Sequence, residues 1–130
     1  AHLTGSADPQ LRAAARSEAE GDLDSAERRY LRAIEIEPDR VEAHNDLGRI
    51  YANLGKLAES LECFARAVEI DPAYANAYFN AGDVLYAMGR YAEAADVYQN
   101  GLAVNPTHAP GFFTLGTSSK RTGTPRQGTP

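Results

Sequence analysis

VEAHNDLGRIYANLGKLAESLECFARAVEIDPAY, residues 41–74, is the stretch whose reading decides the fold. Glycine punctuates its middle and proline its end, and both marks recur along the chain. Pro38, Pro72 and Pro106 stand 34 residues apart (72 − 38 and 106 − 72), as do Gly21, Gly55, Gly89 and Gly123. A fixed period of this length marks a supersecondary unit repeated along the chain, each copy burying its apolar face only against its neighbours. The core is therefore expected to be a strip rather than a ball.

Inside the unit, apolar residues fall at helical spacing: Leu47, Ile50, Tyr51 and Leu54 in the first half, Leu61, Phe64 and Val68 in the second. Two helices per unit follow, over 41–54 and 58–70, and their copies over 75–88 and 92–104. Upstream, Asp8 before Pro9 reads as a helix start, a carboxylate to accept free N–H groups and a proline in the first turn. That helix ends at Gly21, and a partner over 24–35 ends before Pro38, whose ring would clash with a continuing turn. Short glycine-containing connections lay consecutive helices antiparallel.

Superimposed by 34, the units form columns. The second reads His44, Leu47, Gly48, Tyr51, Ser60, Phe64, Pro72, and the third Tyr78, Ala81, Gly82, Leu85, Ala94, Tyr98, Pro106. The first keeps Ala26, Tyr30, Ala33 and Pro38, preceded by Gln10, Ala13, Ala14 and Ser17. These columns follow the pattern W-x2-L-G-x2-Y, then A-x3-F, then P, and the chain resembles the tetratricopeptide repeat (TPR) family over almost its whole length. The resemblance implies an all-α fold, a right-handed solenoid of antiparallel helix pairs. The repeat domain is expected over 8–122, with units at about 7–40, 41–74 and 75–108. Phe112, Leu115, Gly116 and Gly123 continue the columns into a half unit, 109–122. Residues 1–7 read as a flexible lead or cloning scar, and 123–130, with two prolines and no apolar periodicity, as a flexible tail.

Composition fits a folded, water-exposed protein, 43% hydrophobic and 24% charged. A net charge of −5 argues against nucleic acid, whose phosphates are met by Lys and Arg. No apolar run approaches the roughly 18 residues a membrane span needs, and the N-terminus lacks the basic start and apolar core of a signal peptide. Cytoplasm is the default compartment. The lone Cys63 makes no internal disulfide and reads as a structural or surface thiol.

Candidates for chemistry are thin. His44 stands in the column of Tyr78 and Phe112 and reads as packing; His2 and His108 lie in the lead and in a turn. The acidic run Glu18, Glu20, Asp22, Asp24 crosses a helix end and reads as a solvated edge rather than a metal site. Every repeated glycine is explained by the repeat, so no phosphate loop is expected. The sequence reads as no enzyme, with no cofactor and no metal.

The TPR resemblance implies a concave groove, lined by the first helix of each unit, that holds a peptide segment of a protein partner. Carried over position by position, the groove residues are Asn45, Arg49 and Asn53; Asn76, Phe79, Asn80, Asp83 and Tyr86; and Phe113, Thr117 and Lys120. Phe79, Tyr86 and Phe113 are expected to be exposed, because Tyr78, Leu85 and Phe112 already supply the packing, and exposed aromatics mark binding surfaces. The cationic clamp of co-chaperones that grip acidic chaperone tails is not matched: its positions hold Leu11, Ala15, Asp46, Asn76 and Asn80. The function expected is a non-catalytic interaction scaffold. The alternatives are a homo-oligomeric assembly unit stacking through its solenoid ends, or the repeat fragment of a larger enzyme.

Overall fold

A computed structural model describes residues 6–106. Among them lie six helices and no strand: α1 (Asp8–Ala19), α2 (Leu23–Ile36), α3 (Val41–Asn53), α4 (Leu57–Ile70), α5 (Ala75–Ala87) and α6 (Tyr91–Val104). Each packs on the next, most extensively within the pairs α1–α2, α3–α4 and α5–α6, giving a solenoid of antiparallel pairs. The second helices begin at Leu23, Leu57 and Tyr91, successive starts 34 residues apart, so the period is structural as well as textual. Expected boundaries agree to within two residues. The half unit and tail, with Phe112, Phe113, Thr117 and Lys120, lie outside the described residues.

Each first helix ends the same way. Gly55 adopts φ +82°, and the Lys56 N–H reaches back to the Tyr51 carbonyl at 2.8 Å, closing the helix in a Schellman turn. Arg90 and Asp22 repeat that bond to Leu85 and Ser17. The start of α1 differs from expectation. Ala7, not Asp8, precedes the helix and is fully buried, while the Asp8 carboxylate turns sideways to the Arg40 guanidinium. Arg40, in the turn before α3, also bridges Glu37 and Glu42 at 3.3 and 3.1 Å, so one guanidinium ties the start of α1 to the start of α3.

The core strip is built from one motif repeated. An aromatic ring from each second helix lies on a small residue of its own first helix: Phe64 on Gly48 and Tyr98 on Gly82. A Cβ added at Gly48 would stand 2.6 Å from the Phe64 ring, so glycine here is a demand of packing. In the first unit Ala14 occupies that column beneath Tyr30. Tyr30, Phe64 and Tyr98 are all about 1% exposed, and each burial contributes about 1.5–3 kcal/mol. Ser60, fully buried, donates its hydroxyl to the Gly48 carbonyl at 2.8 Å and so is satisfied. His44 and Tyr78 hold one column by one bond: His44 Nε2 lies 2.8 Å from the Pro38 carbonyl, and the Tyr78 hydroxyl donates to the Pro72 carbonyl at 3.1 Å. Histidine here ties a helix to the turn before it.

Candidate peptide-binding surface

The first helices α1, α3 and α5 stand side by side, and polar side chains stitch them together. At the first seam Arg49 reaches from α3 to α1. Its Nη1 donates to Glu18 Oε2 at 2.6 Å and its Nη2 to Glu18 Oε1 at 3.1 Å, a two-pronged bond, while Asp46 Oδ1 accepts from Nη2 at 3.2 Å. Tyr30 completes the cluster from below, its hydroxyl donating to Glu18 Oε1 at 3.1 Å. Burial, followed by the charges of Asp46 and Glu18, pushes the Tyr30 hydroxyl well above its ordinary range. Asp46 is likewise raised, burial outweighing the help of Arg49. Burial works against the Arg49 charge, yet the two carboxylates raise its pKa and keep it a fixed cation.

Glu18 therefore leaves the solvated edge to which its sequence neighbours were assigned. Glu20, Asp22 and Asp24 are exposed as expected, with Asp22 accepting from the Ser25 N–H at 3.1 Å to cap α2. The signal that separates Glu18 is its place on the last turn of α1, across from Arg49, 31 residues away.

At the second seam the chemistry changes. Asn80 of α5 donates its amide to Asn45 Oδ1 of α3 at 2.9 Å, and no ion pair crosses between these helices among the described residues. Asn45 is only 4% exposed, a buried amide whose partner is an amide. Further along, Asp83 accepts from the Tyr98 hydroxyl. Asn53 and Asn76 are exposed, at the end of α3 and the beginning of α5.

Phe79 requires a correction. It is 2% exposed, not a free groove aromatic. Its ring lies on Gly101 of α6, where an added Cβ would come within 2.8 Å of it, and 6.5 Å from the Tyr98 ring centroid. Ala33 and Ala67 occupy the column of Gly101 in the other units, so the third unit has lost a methyl group and gained a ring. That glycine was the available signal. Tyr86, by contrast, is 38% exposed, edge-on to Tyr91 at 4.8 Å, with Met88 also open nearby.

Cys63 is half-buried, and burial, with Glu62 and Glu59 nearby, pushes its thiol up to about 12, far from a nucleophile's range. Among the described residues no group of three or more His, Cys, Asp or Glu is placed to hold a metal ion. Nor is any helix there long and apolar enough to cross a membrane.

Comparison with known proteins agrees with this geometry. A TPR repeat model matches residues 19–55 and 48–89, and a tetratricopeptide repeat model matches residues 75–108. Among solved structures, the first TPR of Spaghetti (RPAP3) bound to the HSP90 peptide SRMEEVD superimposes with a TM-score of 0.84 at 20% identity, covering 89% of this chain and 94% of that one. Two crystal structures of MamA superimpose at 0.75 and 0.72, with 25% and 27% identity, covering 85% and 80% of this chain. The present chain spans 61% of each MamA chain. A comparison with curated proteins finds no match. By its repeat models and its helix-pair solenoid, the chain belongs to the tetratricopeptide repeat family.

Proposed function

We propose that this chain is a protein-interaction scaffold whose first helices form a concave surface for a peptide segment of a partner. The observation that carries the reading is the row Glu18, Arg49, Asp46, Asn45, Asn80, in which side chains from three successive first helices are held in fixed orientations by one another. Polar groups pre-organised in this way take up a ligand with little further loss of rotamer freedom. Asn76, Asn53 and Tyr86 extend the row with exposed amide and aromatic surface, in keeping with the groove assignment. Phe79 contributes from below, as the floor that positions α5.

The charge of the row selects the ligand class. Glu18, Asp46 and Asp83 outnumber Arg49, which is already engaged by two carboxylates. The HSP90 peptide seen in the Spaghetti structure is acidic, and such a tail would meet repulsion here. A segment carrying Lys or Arg suits this surface better. The test is fluorescence anisotropy with two labelled peptides, SRMEEVD and a basic counterpart with its glutamates and aspartate replaced by lysine. The basic peptide should bind the wild type and lose at least tenfold in affinity on Asn80→Ala with Tyr86→Ala. Tight binding of SRMEEVD, or binding indifferent to that double change, would reject the reading.

A further inference from the structure

One face of α2 departs from the period. The columns that hold Glu59 and Glu62 on α4, and Glu93 and Asp96 on α6, hold Ser25 and Arg28 on α2. Beside them Arg29 stands in the column of Cys63 and Val97, and Arg32 in that of Arg66 and Asn100. Both carboxylates of the later units are gone from these positions, and three guanidiniums have come together. An outer helix face needs polar groups of either sign to stay in water, and acids would serve in a chain of net charge −5. The change of sign points to a ligand.

These side chains meet in one place. Ser25, Arg28, Arg29 and Arg32, with Gln10 of α1, line an open cleft of about 260 Å³, and no carboxylate is among its lining residues. The protein itself holds these cations only loosely. Arg29 is in no ion pair among the described residues. Arg28 Nη2 donates to the Ser25 hydroxyl, a neutral acceptor, at 2.9 Å. Arg32 pairs with Glu35 at 3.0 Å, but both side chains are more than half exposed, and such a pair contributes little. Of the acids nearby, Asp22 is engaged in capping α2 through the Ser25 N–H, and Glu27 lies by Tyr51 of α3. Asp24, exposed in the first turn, lines no part of the cleft.

We propose that this cleft binds a phosphate group, its oxygens accepting from the three guanidiniums, with the Ser25 hydroxyl and the Gln10 amide as neutral donors. A phosphate ester carries a charge of about −1.5 to −2 and three strong acceptor oxygens, and its bonds to a cation are roughly twice as strong as neutral ones. Binding exchanges two weak partners, Ser25 and Glu35, for these. Arginine at all three positions suits the role, because a guanidinium can meet phosphate through two parallel bonds where lysine offers a point charge. A carboxylate offers less charge and one oxygen fewer. None of the five residues belongs to the row from Glu18 to Asn80, so the peptide-binding reading stands or falls separately.

The test is an NMR titration that follows the arginine Nε–H signals together with the backbone amides. One probe is pyrophosphate and the other a blocked tripeptide with a central phosphoserine, each at constant ionic strength set with NaCl. At least one should bind saturably with a Kd of about 1 mM or below, its shifts centred on Arg28, Arg29 and Arg32. The tighter of the two distinguishes free phosphate from a phosphorylated side chain as the source. Arg29→Gln with Arg32→Gln should weaken binding about tenfold or more, as should Arg28→Glu, which restores the acid of the later units. All three positions are exposed, so helicity by circular dichroism should not change. Failure of both probes to saturate, shifts centred elsewhere, or an affinity that neither variant lowers overturns the proposal. Equal binding of the tripeptide with glutamate in place of phosphoserine overturns it too, since any anion would then serve.

Discussion

The two seams between units are built from different forces. Between the first and second units an ion pair crosses, Arg49 to Glu18, with Asp46 gathered around the same guanidinium, and in the turn at their boundary Arg40 gathers Asp8, Glu37 and Glu42. Between the second and third, Asn80 meets Asn45 amide to amide, and inside the third unit two rings lie on glycines, Tyr98 on Gly82 and Phe79 on Gly101, where the second unit has Phe64 on Gly48. One repeat period thus carries two kinds of adhesion. A solenoid is stabilised by the sum of its units and the interfaces between them, so its two ends should respond to different solution conditions.

The largest effect is expected from the aromatic end. Phe79→Ala should remove about 3–5 kcal/mol, read from urea denaturation, because the ring is buried and its cavity cannot collapse onto Gly101. Gly101→Ala overfills the same space and should cost about 1–3 kcal/mol. In a Phe79→Leu background that penalty should largely vanish, and additive penalties would show that ring and glycine are not a matched pair. These losses should be indifferent to salt.

At the charged end Arg49→Met should cost a smaller amount, about 1–2 kcal/mol, since the cluster is part-exposed and Glu18 and Asp46 are left facing each other without a cation. Salt at about 1 M, where the screening length is about 3 Å, should narrow the gap between wild type and variant. A gap that does not move with salt would mean that Arg49 acts through the packing of its stem.

The smallest effect is acid sensitivity. The hydrogen bond from Arg40, aided by Ser6, holds the Asp8 carboxyl below the usual carboxylate range. Its folded pKa lies beneath its unfolded one, so its contribution is fully present above about pH 4 and is lost as pH falls through the folded value. Asp46 runs the other way: burial raises its pKa, so its contribution is present at low pH and declines as pH rises through the folded value. Asp8→Asn should therefore flatten the loss of thermal stability below about pH 4, and Asp46→Asn should steepen it. The opposite ordering would assign the acid response to other carboxylates.

Much of this molecule was legible as text. Pro38, Pro72 and Pro106 with their glycines set six helix ends, because proline and left-handed glycine act through the local backbone alone. The columns at Tyr30, Phe64 and Tyr98 located the buried rings for the same reason, since a period exposes what every unit must do. What escaped were the departures from the period. Phe79 reads as surplus because Tyr78 and Leu85 already supply packing on the helix, and only the loss of a methyl at Gly101, on another helix, makes room for it. The pairing of Glu18 with Arg49 depends on two long side chains meeting across units, which no spacing rule encodes. Asp8 was read as a local cap and instead found a long-range cation in Arg40. Local signals were reliable, and side chains with a choice of partner were not.

The turn at Gly55 carries a last consequence. Its backbone lies at φ +82°, yet nothing stands within 4 Å of where a Cβ would project. The site excludes side chains by handedness and not by crowding. A D-alanine placed there by chemical synthesis would fit the conformation natively, and by restricting the unfolded chain it should stabilise the fold by about 0.4–1 kcal/mol where L-alanine would weaken it. Mirror-image chemistry could thus stiffen the bend between α3 and α4 while leaving every other side chain as it is.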